Sequence, residues 1–374
     1  MSGPSYTPLV QKLPATVPFV GPEEQERARG APFAARLGAN ESLFGPSPEA
    51  VRLMQEHARD LWMYGDPTSF ELREALAAHH GVTPQNIIVG EGIDGLLGNL
   101  VRLLIGPGDA VVTSDGSYPT FNYHVLGFGG ALHKVPYTGG YEDPYALFAR
   151  AAEIRAKLVY LSNPDNPMGS WHTGDALIAA LDDLPKGCLL VLDEAYVELA
   201  PQGTAPALPS DDPRVIRMRT FSKAYGLAGA RVGYAIGAPD LIGAFDKIRN
   251  HFGMNRLSQI GALAALRDEA WLTHVKQSTK AAREQISSIA RACGLTPLAS
   301  ATNFVAVDCG QDGVYARAVL EELLKRGVFA RMPGVAPLDR CIRISCGPGR
   351  EMQLLKSALP DARAAADAAL SRKF

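Results

Sequence analysis

Short apolar runs recur between Asn86 and Ile236 at intervals that leave room for a helix between each pair: Asn86–Val89, Ala110–Thr113, Lys157–Leu161, Cys188–Leu192, Val215–Met218 and Val232–Ile236. Strands alternating with helical segments predict an α/β fold with a mostly parallel sheet sandwiched by helices. Cys188-Leu-Leu-Val-Leu192 is apolar at every position. A strand covered on both faces needs that pattern, whereas a half-exposed strand would alternate. After Asp240 the texture changes to helical segments, Asp240–Arg249 and Leu257–Ala292. A second α/β piece follows, with strands over Asn303–Val307, Val328–Arg331 and Cys341–Ser345 and a helix over Gly313–Lys325. The Ala-rich tail, Asp361–Leu370, reads as a surface helix. Ahead of the sheet, residues 1–39 are Pro-rich, with one helix around Pro22–Arg29. Ser47 caps a helix whose first residue is Pro48. The expected organisation is an N-terminal arm (1–39), a large domain (40–255) and a smaller α/β domain (256–374), with the arm packed near the smaller one.

Composition narrows the function. The chain of 374 residues is 47% hydrophobic and 20% charged, which excludes wholesale disorder. Lys+Arg 37 against Asp+Glu 39 gives a net charge of −2, without the basic excess of a nucleic-acid protein. No stretch approaches the ~18 apolar residues of a membrane span. Met1–Val20 holds four prolines and a single basic residue, Lys12, unlike a secretory signal. The five cysteines are odd in number and form no Cys-x-x-Cys pair, which suits a reducing cytoplasm. The histidines show no ligand spacing, so no metal is expected.

Four polar clusters stand at expected strand ends. Gly90-Glu-Gly-Ile-Asp-Gly95 fits Gly-x-Gly-x-x-Gly, and Asp109 and Asp115 follow where a dinucleotide fold places its ribose acid. That keeps a nicotinamide dehydrogenase open, although any phosphate suits a helix N-terminus that the backbone approaches closely. In Arg219–Tyr234 a lysine, Lys223, stands between a strand and a Gly-rich segment, flanked by Thr220 and Ser222 and followed by Arg231. A lysine in a protected pocket loses solvation, its pKa falls, and the neutral amine becomes a Schiff-base nucleophile. Hydroxyls with an arginine make a phosphate clamp. Asp193 ends an apolar strand and reads either as a helix cap or as a buried carboxylate that needs a cationic or hydrogen-bonded partner. Asn163-Pro-Asp-Asn-Pro-Met-Gly169 reads as a turn after another strand.

In order along the chain, these clusters resemble the fold-type I pyridoxal-phosphate aminotransferases (class I/II), and within them the histidinol-phosphate aminotransferase branch. The likeness runs from Leu37-Gly-Ala-Asn-Glu41 through Tyr64-Gly-Asp-Pro67, Gly92-Ile-Asp94, Pro119-Thr-Phe121, Asn163–Gly169 and Asp193-Glu-Ala-Tyr196 to Ser222–Tyr234, Arg331 and Ile342-Arg-Ile344. The resemblance implies an aspartate-aminotransferase-like large domain that binds pyridoxal 5'-phosphate. Lys223 would hold the cofactor and then shuttle the substrate proton. Asp193 would face the pyridine nitrogen, Asn166 and Tyr196 would bond the ring hydroxyl, and Phe121 would stack on the ring. Thr220, Ser222, Arg231 and the backbone at Ile93 and Asp94 would hold the cofactor phosphate. Tyr64 would reach the phosphate of a partner subunit, which implies a homodimer with shared active sites. Arg343, Arg331 and Asn40 would contact the substrates, small molecules exchanging an amino group with 2-oxoglutarate. Histidinol phosphate is the leading donor, with an aromatic or other amino acid as the alternative.

Departures from the family pattern bear on that choice. Phe19-Val-Gly-Pro22 stands where relatives commonly show Tyr-Val-Pro-Gly, and the missing hydroxyl removes a substrate-phosphate contact. Asp165 and Met168 replace the usual Asn and Thr, which touches loop packing. A decarboxylase of the threonine-phosphate type would use the same scaffold. A transcription regulator would need a DNA-binding domain, for which the segment before Asn40 is too short and too Pro-rich.

Overall fold

The computed structural model describes residues 3–15 and 20–371. Its strands are β1 (Ala35–Arg36), β2 (Ile87–Gly90), β3 (Ala110–Ser114), β4 (Ala131–Val135), β5 (Leu158–Ser162), β6 (Leu189–Asp193), β7 (Val215–Thr220), β8 (Gly233–Ile236), β9 (Thr296–Pro297), β10 (Phe304–Asp308), β11 (Val328–Phe329) and β12 (Cys341–Ser345). A seven-stranded sheet runs in the order β2-β8-β7-β6-β5-β3-β4. Its pairings are parallel except where β8 lies between β2 and β7, antiparallel to both. β12-β10-β9 form a second, antiparallel sheet, and β1 pairs with β11.

The continuous apolar runs have the physical cause expected of them. In β5, Leu158 and Tyr160 pack under the helices Gly92–Leu104 and Pro119–Gly127, while Val159 and Leu161 pack under Pro144–Ile154 and Gly174–Ala180. Leu189 and Val191 of β6 take the first face and Leu190 and Leu192 the second. Both faces are dry, so neither can carry polar positions. β4 escaped the sequence pattern because it is an edge strand. Its Ala131-Leu-His-Lys-Val135 is only half-buried and needs no apolar run.

Two helical expectations are corrected. Leu257–Ala292 is two helices, Arg256–Arg267 and Glu269–Ala292, broken at Asp268. The Asp268 carboxylate caps Trp271 N at 3.0 Å and accepts from Ser47 Oγ at 2.5 Å, bonds that a helical interior position would not make. The tail is more than a surface helix. Gly349–Ser371 buries Met352, Leu355, Leu359, Ala362 and Ala366 in a core shared with β10, β12 and the helix Gly313–Lys325. Ala35 and Leu37, from the arm and its continuation, enter the same core. The helix Arg256–Arg267, expected to open the second unit, buries Ala262, Ala264 and Ala265 with Leu72, Leu76, Phe221 and Tyr234 instead.

Beside the sheet, the fully buried Glu194 accepts from Arg217 Nη2 at 3.0 Å and Arg219 Nε at 2.7 Å. Burial alone would raise this carboxyl, but the two guanidinium groups pull it below its ordinary value. Glu194→Gln removes the bidentate partner of Arg217 and the nearer of two carboxylates beside Arg219, the other being Glu198 at 3.8 Å, and is expected to lower unfolding stability by about 3 kcal/mol in a denaturant titration near pH 7. Because the folded carboxyl titrates below its unfolded value, its contribution is complete above the ordinary carboxylate range. The gap between variant and wild type should therefore close as acid passes through the folded value.

Candidate active site

The carboxyl ends of β3, β5, β6 and β7 point to one edge of the large sheet. Gly90, the last residue of β2, is brought there too, since Gly90 pairs with Gly233 and Gly233 with Thr220. An open α/β sheet binds its ligands along such an edge. A cavity of about 800 Å³ occupies it, lined by Asn40, Ile93, Asp94, Asn166, Asp193, Tyr196, Thr220, Ser222, Lys223, Arg231, Arg331 and Arg343. Twelve sequence candidates from eight separate segments thus meet in one space.

Lys223 Nζ donates to the carbonyl of Asn40 at 3.1 Å and lies 5.6 Å from the centre of the Tyr196 ring. Asn40 has φ 55, a left-handed conformation that asparagine tolerates better than most residues. The side chain of Asn40 donates to Tyr196 OH at 3.1 Å, and its carbonyl also accepts from Asn303 Nδ2 at 2.9 Å. Burial, then the positive charge of Arg343, lowers the Lys223 amine to about 8, so a substantial neutral fraction exists near physiological pH. Asp193 ends β6 inside the cavity. Its carboxylate accepts from Tyr160 OH at 2.7 Å and Ala195 N at 3.0 Å. Burial nevertheless pushes it up to about 6, as for an acid that lacks a full cationic partner.

At the other end of the cavity, Thr220 Oγ1 donates to Ser222 Oγ at 2.9 Å and accepts from Ser222 N at 3.0 Å. Arg231 reaches Ser222 Oγ at 3.5 Å and is anchored on the Ala228 carbonyl at 2.9 Å. The helix Gly92–Leu104 begins beside them. Gly92 is required there: a Cβ would stand 2.5 Å from Arg231 Nη2, and its φ of 77 is left-handed. Hydroxyls, a guanidinium and free helix amides converge on this end, the donor set of an anion cup.

Arg331 and Arg343 face each other across an isolated antiparallel bridge, with Arg343 N to Arg331 O at 2.6 Å. Both side chains line the cavity. Arg343 donates to Asn166 Oδ1 and to the Gly38 carbonyl at 3.3 Å, and its buried Nε has no acceptor among the described residues. Burial lowers it to about 10, still charged at neutral pH. Arg331 Nη2 donates to the Val20 carbonyl at 2.6 Å, which ties the N-terminal segment over the cavity mouth.

Two candidates lie elsewhere. Phe121 is fully buried and stacks on Tyr160, with ring centres 4.6 Å apart, so it supports the Asp193 partner from behind and does not line the cavity. The aromatic on the wall is Tyr118, at the N-cap of the same helix. The helix turns Phe121 into the core and leaves Tyr118 at the sheet edge. Tyr64 is 77% exposed, packs on Phe252 and is outside this cavity. Phe19 lies outside the described residues. Sequence reasoning also missed Tyr160, whose signal was a hydroxyl in a strand buried on both faces. Such a group needs a partner, and Asp193 is it.

The glycine loop at 90–95 does not sit in a dinucleotide fold. β2 is an edge strand, antiparallel to its neighbour, so no parallel crossover surrounds it. The two candidate ribose acids are ion-paired, Asp109 to Lys157 at 2.6 Å and Asp115 to Lys134 at 3.0 Å.

The family pattern described as aminotransferase class I and II matches residues 35–360, and the chain belongs to that family. It is similar to histidinol-phosphate aminotransferases of Moorella thermoacetica, at 34% identity over 95% of this chain and 92% of that one, and of Anaeromyxobacter sp., at 36% over 95% and 98%. The solved structure of histidinol-phosphate aminotransferase from Sinorhizobium meliloti, in complex with pyridoxal-5'-phosphate, superposes with a TM-score of 0.94 at 53% identity, covering 97% of this chain and 98% of that one. A Thermus thermophilus aspartate aminotransferase mutant shares the fold at a TM-score of 0.79 and 23% identity, over 96% and 99% of the two chains. No helix among the described residues is long and apolar enough to cross a membrane.

Proposed function

We propose that this protein is a pyridoxal-phosphate-dependent transaminase that exchanges an amino group between histidinol phosphate and 2-oxoglutarate. One observation carries the reading: a buried, partly neutral lysine, a buried carboxyl in need of a cation and an anion cup line one cavity. That donor set fits the cofactor. Lys223 would hold it covalently. Asp193 would keep a proton on its ring nitrogen, and that cation would satisfy the carboxylate. Thr220, Ser222, Arg231 and the amides at Ile93 and Asp94 would hold its phosphate. Asn166 and Tyr196 would bond its ring hydroxyl, and Tyr118, which lines the cavity where Phe121 does not, would stack on its ring. When bound, the cofactor supplies an electron sink for the pair left on the substrate carbon. Beside it, Lys223 Nζ would be the base that takes the proton from that carbon and returns it.

The substrate follows from the paired arginines. Histidinol phosphate carries a phosphate where glutamate carries its α-carboxylate, so one pocket must accept both, and a dianion favours two guanidinium groups. Arg343→Ala is expected to lower kcat/KM for both by roughly 10²- to 10⁴-fold, since two charge-assisted bonds at about 1.5–3 kcal/mol each are lost. Arg331→Ala should cost histidinol phosphate roughly tenfold and glutamate much less. Equal losses would remove Arg331 from phosphate selection. The direct test follows glutamate formation from 2-oxoglutarate with histidinol phosphate and with free aromatic amino acids. Faster turnover of an aromatic amino acid would overturn the substrate assignment.

The reading includes a homodimer in which Tyr64 reaches the cofactor phosphate of the partner subunit. The exposed Leu61, Trp62, Tyr64, Phe70 and Phe252 in and around that segment support it. Five buried free thiols support a cytoplasmic location.

A further inference from the structure

Behind Asn166 two carboxyl groups meet away from solvent. Asp165 and Glu142 are 2% and 1% exposed and hydrogen-bond to each other through their side chains. Asp165 Oδ1 accepts from Tyr137 OH at 2.8 Å and Oδ2 from Met168 N at 2.8 Å. Glu142 accepts from Ser114 Oγ at 2.7 Å and Ser162 N at 3.1 Å, and His172 Nε2 donates to its backbone carbonyl at 2.7 Å. Two carboxylates cannot both stay ionised side by side in a dry site. Burial drives both up, Glu142 well above its ordinary range and Asp165 to about 6. Arg343 is a cation that acts on Asp165, and the attraction is mutual. The negative charge of a singly protonated pair therefore belongs on Asp165 and the proton on Glu142. The next residue, Asn166, bonds the Arg343 guanidinium directly.

We propose that Glu142 and Asp165 hold a single proton, carried by Glu142, and that the one negative charge on Asp165 moderates the pull of Arg343 on the anionic end of a substrate. This rests on the reading of Arg343 as the substrate-anion receptor. A carboxylate behind the receptor offsets part of its field, so that anionic substrate is held less tightly and anionic product leaves faster. Asp165 is then a specificity and release residue, more than the loop-packing change its sequence suggests. Lowering the pH through the Asp165 titration removes the offset and should tighten anion binding.

Calorimetric binding of glutarate, an unreactive dicarboxylate, to the loaded enzyme between about pH 5 and 8.5, a range that spans the Asp165 titration, tests this. Asp165→Asn keeps the acceptor for Tyr137 and removes the charge. It should bind glutarate roughly tenfold tighter at pH 8 and with a flatter pH dependence than wild type. Glu142→Gln keeps a donor toward Asp165 and leaves its charge, so it should match wild type at pH 8. Tyr137→Phe removes a donor from ionised Asp165 and should move the pH dependence upward. Lys223 and Asp193 titrate in every variant, so the differences between proteins isolate the pair. Unchanged or weaker binding in Asp165→Asn would overturn the proposal. So would Glu142→Gln behaving like Asp165→Asn, which would make Glu142 the ionised member. Should Asp165→Asn not fold, an unmoved pH dependence in Tyr137→Phe overturns it. Arg343→Ala separates the two readings: if it binds glutarate like wild type, the receptor assignment fails, whatever Asp165 does.

Discussion

Lys223→Ala is expected to lower transamination by about 10⁴-fold, because one amine performs two tasks. It anchors the cofactor, and it moves the proton on the substrate carbon. Lys134, which also lines the cavity, is held by Asp115 at 3.0 Å, whereas Lys223 reaches across the cavity to Asn40, whose left-handed backbone turns its carbonyl inward. The amine also depends on its surroundings. Burial and Arg343 hold it near 8, so the reactive neutral form grows as pH rises through that value. Reloading of the cofactor-free enzyme with pyridoxal phosphate should therefore accelerate between about pH 7 and 9 and then level off. Visible absorbance reports loading, and borohydride should fix the label to the peptide containing Lys223. A protein that stays colourless and binds a nicotinamide nucleotide instead would overturn the assignment.

Asp193→Asn should slow turnover by about 10³-fold while changing cofactor retention far less. An amide keeps the shape: its oxygen can accept from Ala195 N while its Nδ2 donates to the Tyr160 hydroxyl, so the fold has little reason to change. It cannot hold a proton on a ring nitrogen, and the electron pair released at the substrate carbon loses its sink. Retention depends mainly on the cup at Thr220, Ser222 and Arg231, at the far end of the cavity. Stopped-flow rates of the first half-reaction, set beside a cofactor dissociation measurement, separate the two effects. Near-wild-type rates in the variant would reduce Asp193 to a structural cap.

Much of this protein was legible along the chain because it follows local rules. The parallel core strands betrayed themselves through continuous apolar runs, since both of their faces are dry. Ser47 with Pro48, and the helix Gly313–Lys325, followed capping chemistry that acts within one turn. Lys223, Asp193 and Arg231 could be singled out because a polar group at the end of an apolar strand is costly unless it has work to do.

The tertiary structure decided what depends on direction and company. Tyr118 and Phe121 are three residues apart on one segment, and only the packing of their helix on β5 sends one to the cavity and the other beneath Tyr160. β4 stayed hidden because an edge strand is free of the apolar constraint that marks its neighbours. The Leu257–Ala292 stretch kept its helical period through Asp268, and the break appears only where Ser47, more than two hundred residues earlier, meets that carboxylate. Asp165 looked like a change within a turn until the fold brought Glu142 against it. By itself the sequence determined which residues must be buried and which chemistry they could offer. Which carboxyl lies beside which arginine was decided by packing, because charge and hydrogen bonding act through space and not along the chain.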